Sequence, residues 1–201
     1  SDWVELLEQR RFGRVRDLRR NLTHIHLSGR LANLVYSMDA TNTDFYAYQY
    51  KPVLSFLDSP SRGLLIADEV GLGKTIEAGL IWTELRARYD ARRLLVVCPA
   101  MLREKWCSEL NHRFGVDAQI MDAADLLNHL KQNKNAIPDG KGVVCSLQGL
   151  RPPSGWRAED ATPNSRRDLA LFFEEQVAEE PLVDLAIIDE AHYLRNPESQ
   201  N

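Results

Sequence analysis

The sequence lacks long hydrophobic runs and has little cysteine. No apolar run approaches the ~18 residues that a membrane-spanning helix needs, so we expect no membrane partner. The three cysteines have no CxxC spacing, which predicts neither a disulfide framework nor a zinc site and indicates a reducing compartment. We expect Cys98, Cys107 and Cys145 to be buried as small apolar side chains. The acidic first residues have no basic or apolar signal segment, so we expect a cytoplasmic location.

An excess of positive charge is also missing. The formal net charge is −4, which gives no general attraction to nucleic acid. One segment departs from this balance, because residues 10–30 contain seven arginines and a single acid, Asp17. This segment is either a solvated, arginine-rich element or a phosphate-contacting surface. We treat residues 1–44 as a lead-in of uncertain structure and residues 45–201 as the main domain.

Downstream of the lead-in, short apolar runs alternate with helical patterns. The patterns predict helices over residues 45–57, 75–88, 102–114, 123–131 and 169–178, and strands over residues 64–67, 94–98, 118–121, 142–146 and 185–189. Residues 151–167 have no periodicity and are predicted to form an exposed insertion. Because the strands are continuous apolar runs, we expect a mostly parallel sheet with helices on both faces, an α/β fold.

A loop between the first predicted strand and the helix after it carries the strongest functional signal. It consists of Gly71, Leu72, Gly73, Lys74 and Thr75. Backbone N–H groups of such a loop, together with a helix N-terminus, bind phosphates. Lys74 would place its charge at the β- and γ-phosphates, and the Thr75 hydroxyl would ligate Mg²⁺. The generic pattern has glycine at position 68, where this chain has Asp68.

Two carboxylates follow the last predicted strand, in the run Asp189-Glu190-Ala191-His192. Asp189 would hold Mg²⁺ through water, since this ion keeps several waters in proteins. Glu190 is the candidate that orients and deprotonates an attacking water. His192 either couples this site to other motifs or is a packed histidine. With Lys74, these residues predict hydrolysis of a nucleoside triphosphate bound with Mg²⁺.

Together, these motifs resemble those of the Swi/Snf-related group of superfamily-two helicase ATPases, and within that group the RapA-like bacterial type. Residues 67–75 have the group's form of the loop, including the aspartate that departs from the generic pattern. Residues 96–99, with Leu102 and Trp106, resemble motif Ia, residues 144–147 resemble motif Ib, and residues 189–192 are motif II. The resemblance covers roughly residues 46–201.

The resemblance implies further site residues. Gln49, preceded by Tyr48, stands where the group has a glutamine that reads adenine, and an amide can pair with the N6 and N7 edge of that base. Alternatively, Gln49 is a surface residue of a helix. Arg103, Lys105 and Ser146 lie in or beside motifs that contact the nucleic-acid backbone in the group, although ordinary surface positions would explain them equally well.

As a whole, the resemblance implies the first RecA-like lobe of a DNA-dependent translocase or remodelling ATPase. The expected partner is double-stranded DNA, or RNA, and RNA polymerase or another protein complex is a further candidate. The second lobe, which would supply arginine fingers, is not in this sequence, so we expect weak activity from this chain alone. Two alternatives stay open, a DEAH-box RNA helicase lobe and a nucleotide-binding scaffold without turnover. The loop sequence disfavours the first, and the intact Lys74, Asp189 and Glu190 disfavour the second.

Overall fold

A computed structural model describes residues 47–59, 63–67, 73–133, 136–158, 160–175 and 181–194. The lead-in, and Asp68, Gly71 and Leu72 of the predicted loop, lie outside the described residues. The helices are α1 (Lys51–Asp58), α2 (Lys74–Tyr89), α3 (Arg103–Arg113), α4 (Ala123–Gln132), α5 (Leu147–Leu150) and α6 (Ser165–Glu175). The strands are β1 (Leu94–Cys98), β2 (Asp117–Ile120), β3 (Lys141–Ser146) and β4 (Leu185–Ile188). Short 3₁₀ turns occur at Ala47–Tyr50, Ala100–Leu102 and Ala191–Leu194.

The four described strands form one sheet in the order β2-β3-β1-β4, and every neighbouring pair is parallel. Parallel pairing needs a crossover between consecutive strands, which the intervening helices provide. The predicted parallel α/β sheet is therefore confirmed. The strands predicted over residues 94–98, 118–121, 142–146 and 185–189 agree with the observed ones to within a residue at each end.

Buried side chains lie on both faces of this sheet. Successive residues of β3 point to opposite faces. Val144 belongs to one hydrophobic cluster, and Val143 and Cys145 belong to the other. The first cluster takes its helical residues mainly from α2 and α3, and the second takes them from α4 and α6. Helices thus cover both faces, as the continuous apolar strands predicted. No helix in the described ranges is long and apolar enough to cross a bilayer.

The predicted buried strand over residues 64–67 was wrong. These residues have no strand assignment, and Leu65 is 78% exposed. A strand needs a neighbour to accept and donate its ladder hydrogen bonds, and β4 pairs within the described chain only with β1. The apolar composition of residues 64–67 indicated burial, but burial of a strand also depends on a partner that the segment cannot supply itself.

Two helix boundaries also differ from the prediction. The predicted helix over residues 45–57 is a 3₁₀ turn followed by α1, and Pro52 near the start of α1 has no N–H to continue one helix through both parts. The helix predicted over residues 169–178 begins earlier, at Ser165. There, the Asn164 side chain accepts a hydrogen bond from the N–H of Arg166 at 2.9 Å. Residues 165–167 therefore belong to α6 rather than to the predicted insertion.

Asp184 fixes β4 against β1 at the amino ends of both strands. Its carboxylate accepts hydrogen bonds from the backbone N–H groups of Arg92 at 2.8 Å and Arg93 at 2.9 Å. Its own N–H donates to the Arg93 carbonyl at 2.8 Å. Because β4 leads directly into Asp189, this attachment sets the position of the Asp189-Glu190 carboxylates at the other end of the strand.

Candidate nucleotide-binding and hydrolysis site

The described motifs gather at the carboxyl edge of the sheet. Residues 90–93 join the end of α2 to the start of β1, so α2 ends at the amino edge. A helix of 16 residues is about 24 Å long, enough to cross the sheet. Leu80, Ile81 and Leu85 of α2 pack in the cluster that contains Leu94 and Val96 of β1. The N-terminus of α2 therefore lies at the carboxyl edge, where β4 delivers its carboxylates.

Gly73 adopts a backbone conformation that favours glycine at the start of α2. Its φ is 96°, in the left-handed region, and its carbonyl accepts hydrogen bonds from the N–H groups of Ile76 and Glu77. A Cβ at this position would lie 2.6 Å from the side-chain nitrogen of Gln49. Gln49 is 6% exposed and belongs to the 3₁₀ turn Ala47–Tyr50. The structure thus brings Gln49 and the loop together, although the sequence separates them by more than twenty residues.

Lys74 and Thr75 are the first two residues of α2, and both side chains are half-buried. The backbone N–H groups of a helix's first turn point towards its N-terminus, where the positive end of the helix dipole also lies. An anion bound there would gain from both, and from the charge of Lys74. The roles of Gly71 and Leu72 stay predictions, since these residues lie outside the described part of the chain.

Asp189 is held by three hydrogen bonds. Its backbone N–H donates to the carbonyl of Val97 at 2.8 Å, which continues the pairing of β4 with β1 by one residue. Its Oδ1 accepts the N–H of Glu190 at 2.9 Å, and its Oδ2 accepts the indole N–H of Trp106 at 2.8 Å. The carboxylate therefore has a defined orientation at the edge of the sheet.

Glu190 has an unusual backbone conformation for a residue with a side chain. Its φ is 53°, in the left-handed region, which costs on the order of 1 kcal/mol for a residue other than glycine. Such strain concentrates at functional sites. Its Oε2 lies 3.1 Å from Nδ1 of His192, whose side chain is 62% exposed. His192 is thus not a packed core histidine, and it contacts the candidate general base directly.

The oxygen donors of this edge suit Mg²⁺. The ion prefers hard oxygen ligands, keeps several waters and commonly takes one or two protein ligands plus substrate phosphates. The Thr75 hydroxyl and the Asp189 carboxylate match that preference. The hydrogen bonds that orient Asp189 are also the usual environment of a carboxylate that ligates a metal. Both residues are thus chemically suited to hold the ion with a bound nucleotide.

The three predicted nucleic-acid contacts differ in their surroundings. Lys105 is exposed on α3, and Arg103 at the start of α3 donates a hydrogen bond to the Ala100 carbonyl at 3.2 Å. Ser146 is 8% exposed, and its hydroxyl accepts the N–H of Gly149 at 2.9 Å as the N-cap of α5. The structure gives Ser146 a capping role, and the nucleic-acid contacts of all three stay predictions.

Sequence reasoning missed one feature of the site. Trp106 was predicted only as part of motif Ia. It does belong to the core, since it is 3% exposed, but its N–H also binds the motif II carboxylate. A buried tryptophan normally finds a hydrogen-bond partner, which was the available signal. The sequence did not identify the partner.

Comparisons with known proteins agree with the family resemblance that the motifs indicated. The chain matches the SNF2-related domain over residues 8–201, a span that begins well before the motifs and includes most of the lead-in. The boundary between residues 44 and 45 stays a prediction.

Curated relatives include the RNA polymerase-associated protein RapA of three bacteria. The protein of Photobacterium profundum is 37% identical over 131 residues, 65% of this chain and 12% of the relative. That of Stutzerimonas stutzeri is 30% identical over 175 residues, 87% of this chain and 16% of the relative. That of Vibrio atlanticus is 34% identical over 131 residues, 65% of this chain and 12% of the relative.

The chain thus matches less than a fifth of the length of each of these relatives. Its parallel sheet and the residues at its carboxyl edge fit the RecA-like lobe of such a protein. The family match covers nearly the whole chain, and members of that family hydrolyse ATP. This chain belongs to the SNF2-related domain family of Swi/Snf-type ATPases and is of the RapA-like bacterial type.

Proposed function

We propose that this lobe binds ATP with Mg²⁺ at the carboxyl edge of its sheet and hydrolyses it. Lys74 contacts the β- and γ-phosphates, and the loop of residues 71–75 wraps them with backbone N–H groups. Thr75 and Asp189 hold the ion, which neutralises charge on the phosphates when bound. Glu190 orients the attacking water and accepts its proton. Gln49 reads the adenine edge.

One observation carries this proposal. The connection of α2 to β1 and the packing of the two imply that the N-terminus of α2, with Lys74 and Thr75, shares a sheet edge with Asp189 and Glu190. Phosphoryl transfer depends mainly on positioning and on neutralising charge, and this edge offers cationic, hydroxyl and carboxylate groups together. The Gln49 side chain against Gly73 adds a base-reading group beside the phosphate loop.

The intact protein is proposed to be a nucleic-acid-dependent translocase or remodelling ATPase located in the cytoplasm. Its proposed track is double-stranded DNA, or RNA, contacted through Arg103, Lys105 and Ser146. The relatives named RNA polymerase-associated protein RapA support RNA polymerase as a protein partner. Because the chain matches only 12–16% of the length of those relatives, RNA polymerase is a proposed partner of this protein.

Nucleotide binding is tested with Lys74→Ala in the full-length protein. The substitution removes a charge-assisted contact worth about 2 kcal/mol, so ATP should bind about 30-fold more weakly. Lys131→Ala is the matched control, because Lys131 is an exposed lysine near the end of α4. Calorimetry with ATP and Mg²⁺ measures both variants. Equal affinity of Lys74→Ala and Lys131→Ala would contradict the proposed phosphate contact.

Hydrolysis is tested separately with Glu190→Gln. An amide cannot accept the proton of water, so this variant should keep ATP binding and lose turnover by about 100-fold or more. Glu175→Gln, at the exposed end of α6, is the control. Turnover is measured with and without duplex DNA and with RNA. Stimulation by RNA alone would favour the RNA helicase alternative, and full-length protein without turnover would favour the scaffold.

A further inference from the structure

A tryptophan outside both catalytic motifs contacts a candidate Mg²⁺ ligand. The indole N–H of Trp106, on α3, donates to Oδ2 of Asp189 at 2.8 Å. The two residues are 83 positions apart in the sequence. Trp106 is 3% exposed, so the surrounding core fixes its ring and with it the direction of the N–H. The hydrogen bond therefore links a rigid donor to the carboxylate.

The same β1–α3 segment holds Asp189 at two points. The carbonyl of Val97, near the end of β1, accepts the backbone N–H of Asp189 at 2.8 Å. Trp106, in the helix that follows β1, binds the side chain. The first hydrogen bond holds the backbone of Asp189. The second restricts rotation of the carboxylate about the side-chain bonds. Asp189 is consequently held in one orientation before any ligand arrives.

The hydrogen bonds to Asp189 leave room for an ion. A carboxylate has two oxygens with about four acceptor positions. Oδ1 accepts the N–H of Glu190 and Oδ2 accepts that of Trp106, so each oxygen keeps a second acceptor position. The indole is neutral and leaves the negative charge of the carboxylate in place. An arginine or lysine in the position of Trp106 would instead compete with a cation for that charge.

We propose that Trp106 is a positioning residue that orients Asp189 for the Mg²⁺ bound with ATP. The inference rests on the proposed function, because it assigns a role within the same site. Trp106 does not itself contact nucleotide or ion; it acts through Oδ2 of Asp189. Partners that orient a metal-ligating carboxylate in this way are typically worth 10–100-fold in metal affinity or activity.

The test uses Trp106→Phe in the full-length protein, which removes the N–H and keeps an aromatic ring. Binding of a fluorescent ATP analogue is measured at increasing Mg²⁺ concentrations, and its affinity is measured again in the presence of a metal chelator. The Mg²⁺ concentration at half-saturation should rise about 10-fold, while the affinity without metal stays unchanged. In the Trp106→Phe, Asp189→Asn double variant, the tryptophan substitution should add nothing to the effect of Asp189→Asn, because Trp106 acts through that carboxylate.

Trp82→Phe is the matched control. Trp82 belongs to the same hydrophobic cluster and is 1% exposed. Its indole nitrogen has no hydrogen-bond partner within the described residues. Loss of packing would affect both variants alike, whereas loss of the Asp189 contact affects only Trp106→Phe. If Trp106→Phe does not fold, benzothienylalanine at position 106 keeps the ring size and replaces the N–H with sulfur.

The inference would be overturned if Trp106→Phe and Trp82→Phe showed the same Mg²⁺ dependence of ATP binding. It would also be overturned if the protein with benzothienylalanine at position 106 showed the Mg²⁺ dependence of the wild type. Such a result, alongside weakened binding in Lys74→Ala and Asp189→Asn, would leave the proposed function standing. Unchanged binding in Lys74→Ala would instead refute the proposed nucleotide site. The two failures are therefore distinguishable within one set of titrations.

Discussion

At the scale of single residues, burial controls the chemistry of the cysteines. Burial raises the pKa of the Cys98 thiol from 9.0 to about 11, with a further contribution from the charge of Asp189. Burial likewise raises the pKa of Cys145 from 9.0 to about 12. Cys107 is half-buried, and burial raises its pKa too. The prediction of buried thiols is confirmed for Cys98 and Cys145 and holds in part for Cys107.

The reactivity of the three thiols should increase with their exposure, so that Cys107 is the most reactive. The thiolate is the reactive form, so at about pH 8 the native 201-residue chain should react with a disulfide reagent fastest at Cys107. Cys98 and Cys145 should react only after denaturant is added. A time course of labelling, with Cys107→Ala as the control that should remove the fast phase, measures this. Equal rates at all three thiols would show that the two strand cysteines are accessible.

At the scale of elements, α2 packs more tightly than its amphipathic pattern indicated. The helical spacing of Ile76, Leu80, Ile81 and Leu85 indicates a single apolar face, yet every residue from Glu77 to Trp82 is buried. Gly79 lies in this stretch, and a Cβ there would be 2.1 Å from the ring of Phe114, at the end of α3. The absence of a side chain at Gly79 lets the Phe114 ring approach the helix backbone.

Gly79→Ala should therefore destabilise the protein. Alanine favours a helix over glycine by about 1 kcal/mol, but a forced shift of a packed ring costs about 1–3 kcal/mol. We expect a net loss of about 1 kcal/mol in the free energy of unfolding, measured by denaturant titration. Adding Phe114→Leu should reduce the cost of the alanine, since the ring is then gone. A stabilising Gly79→Ala would mean that the ring moves aside freely.

At the scale of the whole chain, the described part encloses two hydrophobic clusters, one on each face of the sheet. This layered arrangement is the usual basis for independent folding. The family resemblance, however, implies that arginine fingers and part of the nucleic-acid track come from a second lobe. Residues 1–201 alone should consequently fold but work poorly as an enzyme.

The 201-residue chain is predicted to unfold cooperatively and to hydrolyse ATP slowly. Arginine fingers in phosphoryl-transfer enzymes contribute about 10³–10⁵ in rate, and stimulation by DNA would require a second lobe to close on the nucleotide. Steady-state turnover with and without duplex DNA tests this, with the Glu190→Gln chain as the background control. A robust, DNA-stimulated rate from this chain would show that it carries its own finger or supplies one through self-association.

Much of the fold and site followed from the sequence. The apolar runs at residues 94–98, 142–146 and 185–189 located their strands because buried parallel strands need uninterrupted apolar side chains. The motifs at Lys74-Thr75 and Asp189-Glu190 identified the candidate site because few residue types can bind phosphates and Mg²⁺. The assigned roles of these residues remain predictions, and the packing of α2 along β1 implies that they share one edge of the sheet.

The sequence by itself determined most of the segments that are helix or strand, and which residue types could bind a nucleotide, since both depend on local pattern and side-chain chemistry. Only the tertiary structure decided that residues 64–67 have no strand partner in the described part of the chain, that Phe114 packs against Gly79 and that Trp106 binds Asp189. Each of these outcomes depends on segments distant in the chain. Local patterns do not specify such contacts, because they arise only when the helices pack on the assembled sheet.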